Sequence, residues 1–216
     1  MRDMDLYVVT DEKAGKGKSH CEIARLCFEG GADIVQLRAK DSSDGDIVAM
    51  SKIIRKYADE HGGLFIVDDR VSAAVEGGAH GVHLGQSDMP VSEAREIVPE
   101  GFIVGISVDN AEQAVAAVRD GADYVALSPV HDTMSKGFLS KGFGLDELRR
   151  VRAAVDVPVV AIGGMDMDTI PGALANGADV IALISAVVSK DDIASAAAGM
   201  KEFIRTVKTS GAPRKK

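Results

Sequence analysis

An α/β fold, with parallel strands closed into one barrel and a helix after each strand, is predicted from three observations. First, a short motif recurs as Gly31-Ala32-Asp33-Ile34-Val35, Gly78-Ala79-His80-Gly81-Val82, Gly121-Ala122-Asp123-Tyr124-Val125 and Gly177-Ala178-Asp179-Val180-Ile181. An alanine-rich amphipathic segment precedes each Gly, as suits a helix ending on a left-handed residue, and an apolar run too short for a helix follows. Second, those runs are near-continuous Val, Ile and Leu rather than alternating, which fits strands covered on both faces. Third, 216 residues with 46% hydrophobic content are enough for one such barrel and its core.

Taken in order, strand one covers residues 6–10 and ends at Asp11. The Gly17-Lys18-Ser19 that follows resembles half of a P-loop, but Glu12 stands where that motif needs its first Gly. Ser19 followed three residues later by Glu22 is instead a capping box opening a helix that runs to Gly30. Strand two covers 34–37. A helix over 47–61 breaks at Gly62-Gly63, strand three covers 64–67, and a short helix over 71–76 leads to strand four at 81–84. Pro90 opens a helix to Ile97, strand five covers 103–106, and Asn110 caps a helix to Asp120. Strand six covers 124–127 and is followed by the longest loop. A helix over 145–154, a strand over 157–162, a helix over 167–176, a strand over 180–184 and a last helix over about 191–207 complete eight strand-helix units. The prediction is a single (β/α)8 TIM barrel over residues 1–208, with a basic tail at 209–216 that is expected to be disordered.

The net charge of -8 argues against a polyanion-binding surface, so nucleic acid is not an expected partner and cations should be confined to a pocket. No apolar run approaches the ~18 residues of a membrane span. Cys21 and Cys27 lie six apart on one helix and face different ways, so they read as packing residues, and a reducing cytoplasm is the expected location. Assembly as a homo-oligomer is left open.

In a barrel of this kind chemistry gathers at the carboxyl ends of the strands, so the polar residues after each apolar run should converge on one mouth. These are Asp11; Gln36, Arg38 and Lys40; Asp68, Asp69 and Arg70; His83, Gln86 and Asp88; Ser107; His131, Thr133, Ser135 and Lys136; Gly163 and Gly164; and Ser185. Gly163-Gly164 after strand seven and Ile184-Ser185-Ala186 after strand eight occupy the place where barrels hold a phosphate on backbone N-H groups. Arg38, Lys40 and Lys136 at strand ends call for a ligand with several negative charges. Asp69 and Asp88 end neighbouring strands, where their carboxylates can share one hard cation; two carboxylates plus ligand oxygens suit magnesium. The competing reading pairs Asp69 with Arg70 and makes Asp88 a helix cap. No serine has an evident His-plus-acid partner, and His131 in the long loop is a candidate proton carrier; a metal, three cations and two phosphate pockets suit ionisation of an activated diphosphate and its capture by a second phosphorylated substrate.

These residues carry a family resemblance. Tyr7-Val8-Val9-Thr10-Asp11, Gln36-Leu37-Arg38-Ala39-Lys40, Asp69-Arg70, His83-Leu84-Gly85-Gln86-Ser87-Asp88, Gly105-Ile106-Ser107, Ser128-Pro129-Val130, Thr133-Met134-Ser135-Lys136, Ala161-Ile162-Gly163-Gly164-Met165 and Ile184-Ser185-Ala186 resemble thiamine phosphate synthases, in order, from residue 7 to about 187. The resemblance implies a transferase that joins a hydroxymethylpyrimidine diphosphate to a thiazole phosphate, giving thiamine phosphate and pyrophosphate. It implies that Gln36, Leu37, Arg38, Ala39, Lys40, Asp68, Ser107 and Lys136 hold the pyrimidine diphosphate, with Arg38, Lys136 and Ser107 acting in the reaction. It places Thr133, Met134, Ser135, Gly164, Ile184 and Ser185 on the thiazole phosphate, and magnesium on Asp69 and Asp88. Three departures stand out: Asp68 replaces the usual Asn, Ser135 replaces the usual Thr but keeps its hydroxyl, and His131-Asp132 replace an aromatic residue and Pro. The related thiazole tautomerases are expected to carry a catalytic His near Pro129, so the synthase branch is favoured. Two other readings stay open: an isomerase of the thiazole phosphate with His131 as proton carrier, and a non-catalytic protein that binds a thiamine precursor.

Overall fold

The computed structural model describes residues 1–133 and 140–210. Its chain order is β1 (Leu6–Val9), α1 (His20–Glu29), β2 (Ile34–Leu37), α2 (Asp44–His61), β3 (Leu64–Asp68), α3 (Val71–Glu76), β4 (Gly81–Leu84), α4 (Val91–Ile97), β5 (Ile103–Val108) and α5 (Ala111–Arg119). There follow β6 (Tyr124–Leu127), α6 (Gly144–Ala154), β7 (Val159–Ile162), α7 (Ile170–Ala175), β8 (Val180–Leu183), α8 (Ser185–Val188) and α9 (Ile193–Ser210). Every strand pairs in parallel with its sequence neighbours, and β1 also pairs with β8 through Leu6↔Ile181, which closes the barrel. The predicted (β/α)8 architecture is the observed one.

The recurring motif turns out to be a joint. Gly31, Gly78, Gly121 and Gly177 have φ of +83°, +71°, +105° and +102°. In each case the next residue, an alanine, sends its N-H back into the helix, as from Ala32 to the Cys27 carbonyl at 3.0 Å or from Ala178 to the Ala173 carbonyl at 3.1 Å. That is the helix end in which a left-handed glycine satisfies the last carbonyls. The third position of the joint grips the start of the preceding strand. Asp33 Oδ2 accepts from Asp5 N and Leu6 N at 2.9 and 3.0 Å, Asp123 Oδ2 from Val104 N at 2.7 Å, and Asp179 Oδ2 from Val159 N at 2.9 Å. His80 does the same with Nδ1, accepting from Phe65 N at 3.0 Å. A cation covers each carboxylate: Lys201 for Asp33, Arg95 for Asp123 and Arg152 for Asp179.

Several boundaries differ from expectation for local reasons. α2 starts three residues early because Ser43 Oγ accepts from Asp46 N and caps it. α7 starts three residues late because Asp166 Oδ1 accepts from Asp168 N and Thr169 N, which holds 166–169 in a turn. α9 likewise begins only after Asp192, whose Oδ1 accepts from Ser195 N. The short helix α8 had no sequence signal of its own. α9 extends through Ser210, so residues 209–210 of the expected tail are helical, and residues 211–216 lie outside the described residues. Between barrel and helices lies a large apolar layer, while Tyr7, Val9, Ile34, Ile66, Tyr124, Ala126, Val160, Val180 and Ala182 fill the barrel itself. Among the described residues no helix is long and apolar enough to cross a membrane.

Candidate active site

The carboxyl ends of the strands surround one cavity of about 700 Å³. β2, β3 and β4 supply its charged wall. Lys40 Nζ lies 3.0 Å from Asp69 Oδ2 and 3.9 Å from Asp68 Oδ2, and Arg38 Nε lies 3.7 Å from Asp68 Oδ2. The backbone N-H of Arg38 donates to Thr10 Oγ1 at 3.2 Å, which ties that wall to the end of β1. Asp69 is a non-glycine residue at φ +61°, and the turn around it is closed by Arg70 N donating to the Asp68 carbonyl at 2.7 Å. Left-handed backbone is tolerated by Asp better than by most residues, and strain of this kind collects at functional sites.

The acids are held under mutual pressure. The Asp69 carboxyl is raised above the usual carboxylate range, first by burial and next by the Asp88 carboxyl within hydrogen-bonding reach. Asp68 is pushed up to about 7 by burial and by the Asp69 charge, against the pull of Lys40 and Arg38. Its Oδ2 is buried and has no hydrogen-bond partner. Asp88 Oδ2 accepts from Gly85 N at 2.7 Å, so this acid folds its own loop rather than capping α4, whose N-cap is Pro90. Arg70 pairs with Asp44 at 3.1 Å, not with Asp69. The competing reading of both acids therefore fails.

On the other side of the cavity, Gly163 and Gly164 follow β7 at φ +94° and +63°. A side chain at Gly163 would reach 2.4 Å from Pro129 Cβ, and one at Gly164 would reach 2.7 Å from His131 Cβ. These glycines are thus needed for the loop after β6 to pack over them, as well as for their backbone conformation. Ile184 and Ser185 lead into α8, and Lys190, which the sequence had not singled out, lines the same wall.

Of the residues expected at the site, Gln36, Arg38, Lys40, Asp68, Asp69, Asp88, Ser107, Thr133, Gly164, Ile184 and Ser185 border this cavity together. Leu37 and Ala39 do not; both are buried in the apolar layer beneath the helices. Met134, Ser135 and Lys136 lie outside the described residues. Thr133, next to them in sequence, donates its N-H to the Ser140 carbonyl at 3.0 Å. His131 does not border the cavity, and its Nε2 is buried without a hydrogen-bond partner. Tyr7 borders the cavity and Tyr124 meets its hydroxyl from the barrel interior, and neither was expected as a site residue. Each sits in a run of aliphatic strand residues, where the only signal was a phenol that must find a partner inside a barrel.

Among the described residues no group of three or more His, Cys, Asp or Glu side chains is placed to hold a metal. Asp69 and Asp88 nevertheless fit magnesium, which takes one or two protein carboxylates and completes its shell with water and ligand oxygens. The Asp88 carboxyl that helps to raise Asp69's affinity for protons also presents charge that a divalent ion would relieve.

A parallel barrel whose single mouth sets a carboxylate pair and two cations opposite a glycine-rich wall is the architecture of an enzyme acting on phosphorylated small molecules. The particular family follows from comparison: residues 6–187 match the model of the thiamine monophosphate synthase family, and the chain belongs to it. A thiamine-phosphate synthase of Methanoculleus marisnigri is 48% identical over 96% of this chain and 98% of its own. That of Methanoregula boonei is 50% identical over 95% of each. Among solved structures, the thiamine phosphate pyrophosphorylase of Pyrococcus furiosus superposes with a TM-score of 0.87 at 37% identity, over 95% of this chain and 98% of that one. A 3-hexulose-6-phosphate synthase shares the fold alone, with a TM-score of 0.65 at 22% identity.

Proposed function

We propose that this chain is a magnesium-dependent transferase of thiamine biosynthesis, which joins an aminopyrimidine methyl diphosphate to a thiazole phosphate and releases pyrophosphate. The observation that carries the reading is the contact of the Asp69 and Asp88 carboxyls beside Lys40 and Arg38 in one cavity. Carboxylates so close to a diphosphate would repel it: at ~4 Å and an effective dielectric near 20 each like-charge pair costs on the order of 4 kcal/mol. Cations must therefore stand between them.

Each residue then has a task. The C-O bond between the pyrimidine methylene and the diphosphate breaks, its electron pair leaves with pyrophosphate, and the thiazole nitrogen lone pair forms the new C-N bond. Arg38 and Lys40 neutralise charge growing on the leaving group. Gln36 and the unpartnered Asp68 Oδ2 face the pyrimidine, whose amino group supplies the donor that this oxygen lacks. Gly164, Ser185 and Lys190 hold the thiazole phosphate, which fixes the nucleophile close to the electrophilic carbon. Asp69 and Asp88 would hold magnesium, which supplies charge stabilisation for the diphosphate when bound.

The test is a pyrophosphate assay. Release is expected only with both substrates and magnesium present, and to be lost with a chelator or in Asp69→Asn. Full activity of Asp69→Asn at limiting magnesium would refute the metal assignment. Turnover of the thiazole phosphate alone would move the reading to an isomerase.

A further inference from the structure

Six side chains form one unbroken hydrogen-bond chain through the barrel interior, from Asp68 at the end of β3 to Ser107 on β5. Gln36 Nε2 donates to Asp68 Oδ1 at 2.6 Å, and Tyr7 O-H donates to Gln36 Oε1 at 3.0 Å. The Tyr7 and Tyr124 hydroxyls lie 3.1 Å apart, His83 Nδ1 is 2.9 Å from the Tyr124 hydroxyl, and His83 Nε2 is 2.9 Å from Ser107 Oγ. Tyr7 and Tyr124 are almost completely buried, as is Gln36. Gly105 makes room for this arrangement, since a side chain there would come within 2.0 Å of the Tyr124 ring.

Valence fixes where each proton lies. An ionised carboxylate only accepts, a hydroxyl has one proton to give, and a neutral imidazole has one ring N-H. Asp68 therefore obliges Gln36 to present its NH₂, which leaves Oε1 to receive the Tyr7 proton. Tyr7 must then accept from Tyr124, and Tyr124 from His83 Nδ1-H. His83 Nε2 is left as an acceptor and takes the Ser107 proton. Every proton in the chain points towards Asp68, and Ser107 turns lone pairs to the cavity.

We propose that Asp68, through Gln36, Tyr7, Tyr124 and His83 as positioning residues, sets the polarity of Ser107, making it an acceptor towards the ligand rather than a donor to a diphosphate oxygen. An amide at position 68 reverses the order. Its carbonyl would turn to Arg38 and Lys40, which face Oδ2 at 3.7 and 3.9 Å, and its NH₂ would turn to Gln36. Gln36 would flip, each hydroxyl proton would swing the other way, His83 would carry its proton on Nε2, and Ser107 would be free to donate outward. The role given to Ser107 rests on the diphosphate reading above; the proton order does not.

The experiment is ¹⁵N NMR of the His83 ring at about pH 8 in four proteins: wild type, Asp68→Asn, Tyr7→Phe and the double variant. The proton is expected on Nδ1 in wild type and on Nε2 in Asp68→Asn. Tyr7→Phe cuts the chain, so it and the double variant should share one tautomer. A wild-type ring protonated on Nε2 or on both nitrogens, the same tautomer in wild type and Asp68→Asn, or a switch that persists without the Tyr7 hydroxyl would each overturn the proposal. Calorimetry with inorganic pyrophosphate gives the second arm. Asp68→Asn should tighten binding about tenfold more with Tyr7 intact than in Tyr7→Phe, because only there does Ser107 gain a proton to donate. Equal tightening would overturn the Ser107 polarity. A tautomer switch with no pyrophosphate binding in any protein would uphold the proton order and refute the diphosphate reading.

Discussion

Asp68→Asn should make the protein more stable, and more so as pH rises. The side chain is 10% exposed, and burial beside Asp69 pushes its pKa from the ordinary 3.8 up to about 7. Below about pH 4 the group is protonated whether folded or not, and it costs nothing. Between about pH 4 and about 7 the folded protein binds a proton that the unfolded chain has released, so stability falls with rising pH; above about 7 the loss is complete. At about 1.4 kcal/mol per pH unit, this group alone costs about 4 kcal/mol in the ligand-free protein at pH 8, of which about 3 kcal/mol appears above pH 5. An amide of the same shape carries no such term. Urea unfolding of both proteins at pH 5 and pH 8 isolates it, because the other titrating groups are common to the two. The stability advantage of Asp68→Asn is expected to grow by about 3 kcal/mol between those pH values. An advantage that stays constant, or a variant less stable than wild type at pH 8, would refute the assignment of Asp68 as a buried, strained acid.

Three further outcomes are expected. Gly105→Ala would drive a methyl group into the Tyr124 ring, with a carbon 2.0 Å away, so unfolding should show a loss of about 1–3 kcal/mol or more and His83 resonances should shift; a neutral substitution would contradict the interior packing. Asp179→Ala removes the partner of Val159 N and leaves Arg152 uncovered at the amino end of the barrel, so it should cost about 3 kcal/mol in urea while pyrophosphate affinity stays unchanged; a changed affinity would show that the two ends of the barrel are coupled. Cys27 is buried, and burial pushes its thiol up to about 12, whereas Cys21 is only partly buried. Alkylation followed by mass spectrometry should therefore label Cys21 in the folded protein and Cys27 only after denaturation.

The barrel was legible because its signals are local. A glycine that must be left-handed, an alanine that must be small and a short aliphatic run can be read without knowing what lies across the fold, and all four copies of the motif obey them. The charged wall was legible for a related reason: topology alone sends the ends of β2, β3 and β4 to one place, so Arg38, Lys40, Asp69 and Asp88 needed only the strand assignments. What escaped the sequence depends on partners far along the chain. Tyr7 meets Tyr124 across 117 positions, and nothing near either residue announces the other. Leu37 and Ala39 lie within the Gln36–Lys40 stretch but face the other side of the sheet, because neighbouring strand residues alternate. His131, a plausible proton carrier by composition, is turned away by loop packing on Gly164 that only three dimensions could reveal.

The two ends of the barrel divide stability and chemistry between them. At the amino end each acid is satisfied: Asp33 accepts two backbone N-H groups and a lysine, and its pKa is lowered in spite of burial. At the carboxyl end Asp68 and Asp69 are raised, one oxygen of Asp68 has no hydrogen bond, and Asp69 holds a left-handed backbone. The same residue type is thus stabilising where the backbone meets its needs and destabilising where it waits for a ligand. A fold that anchors each of four strands at one end can tolerate unsatisfied acids at the other, since the joints that set strand register share no side chain with the cavity. Ligand binding should accordingly stabilise this protein most where it is weakest alone, above pH 7, where Asp68 is ionised and its free oxygen has most to gain from a donor.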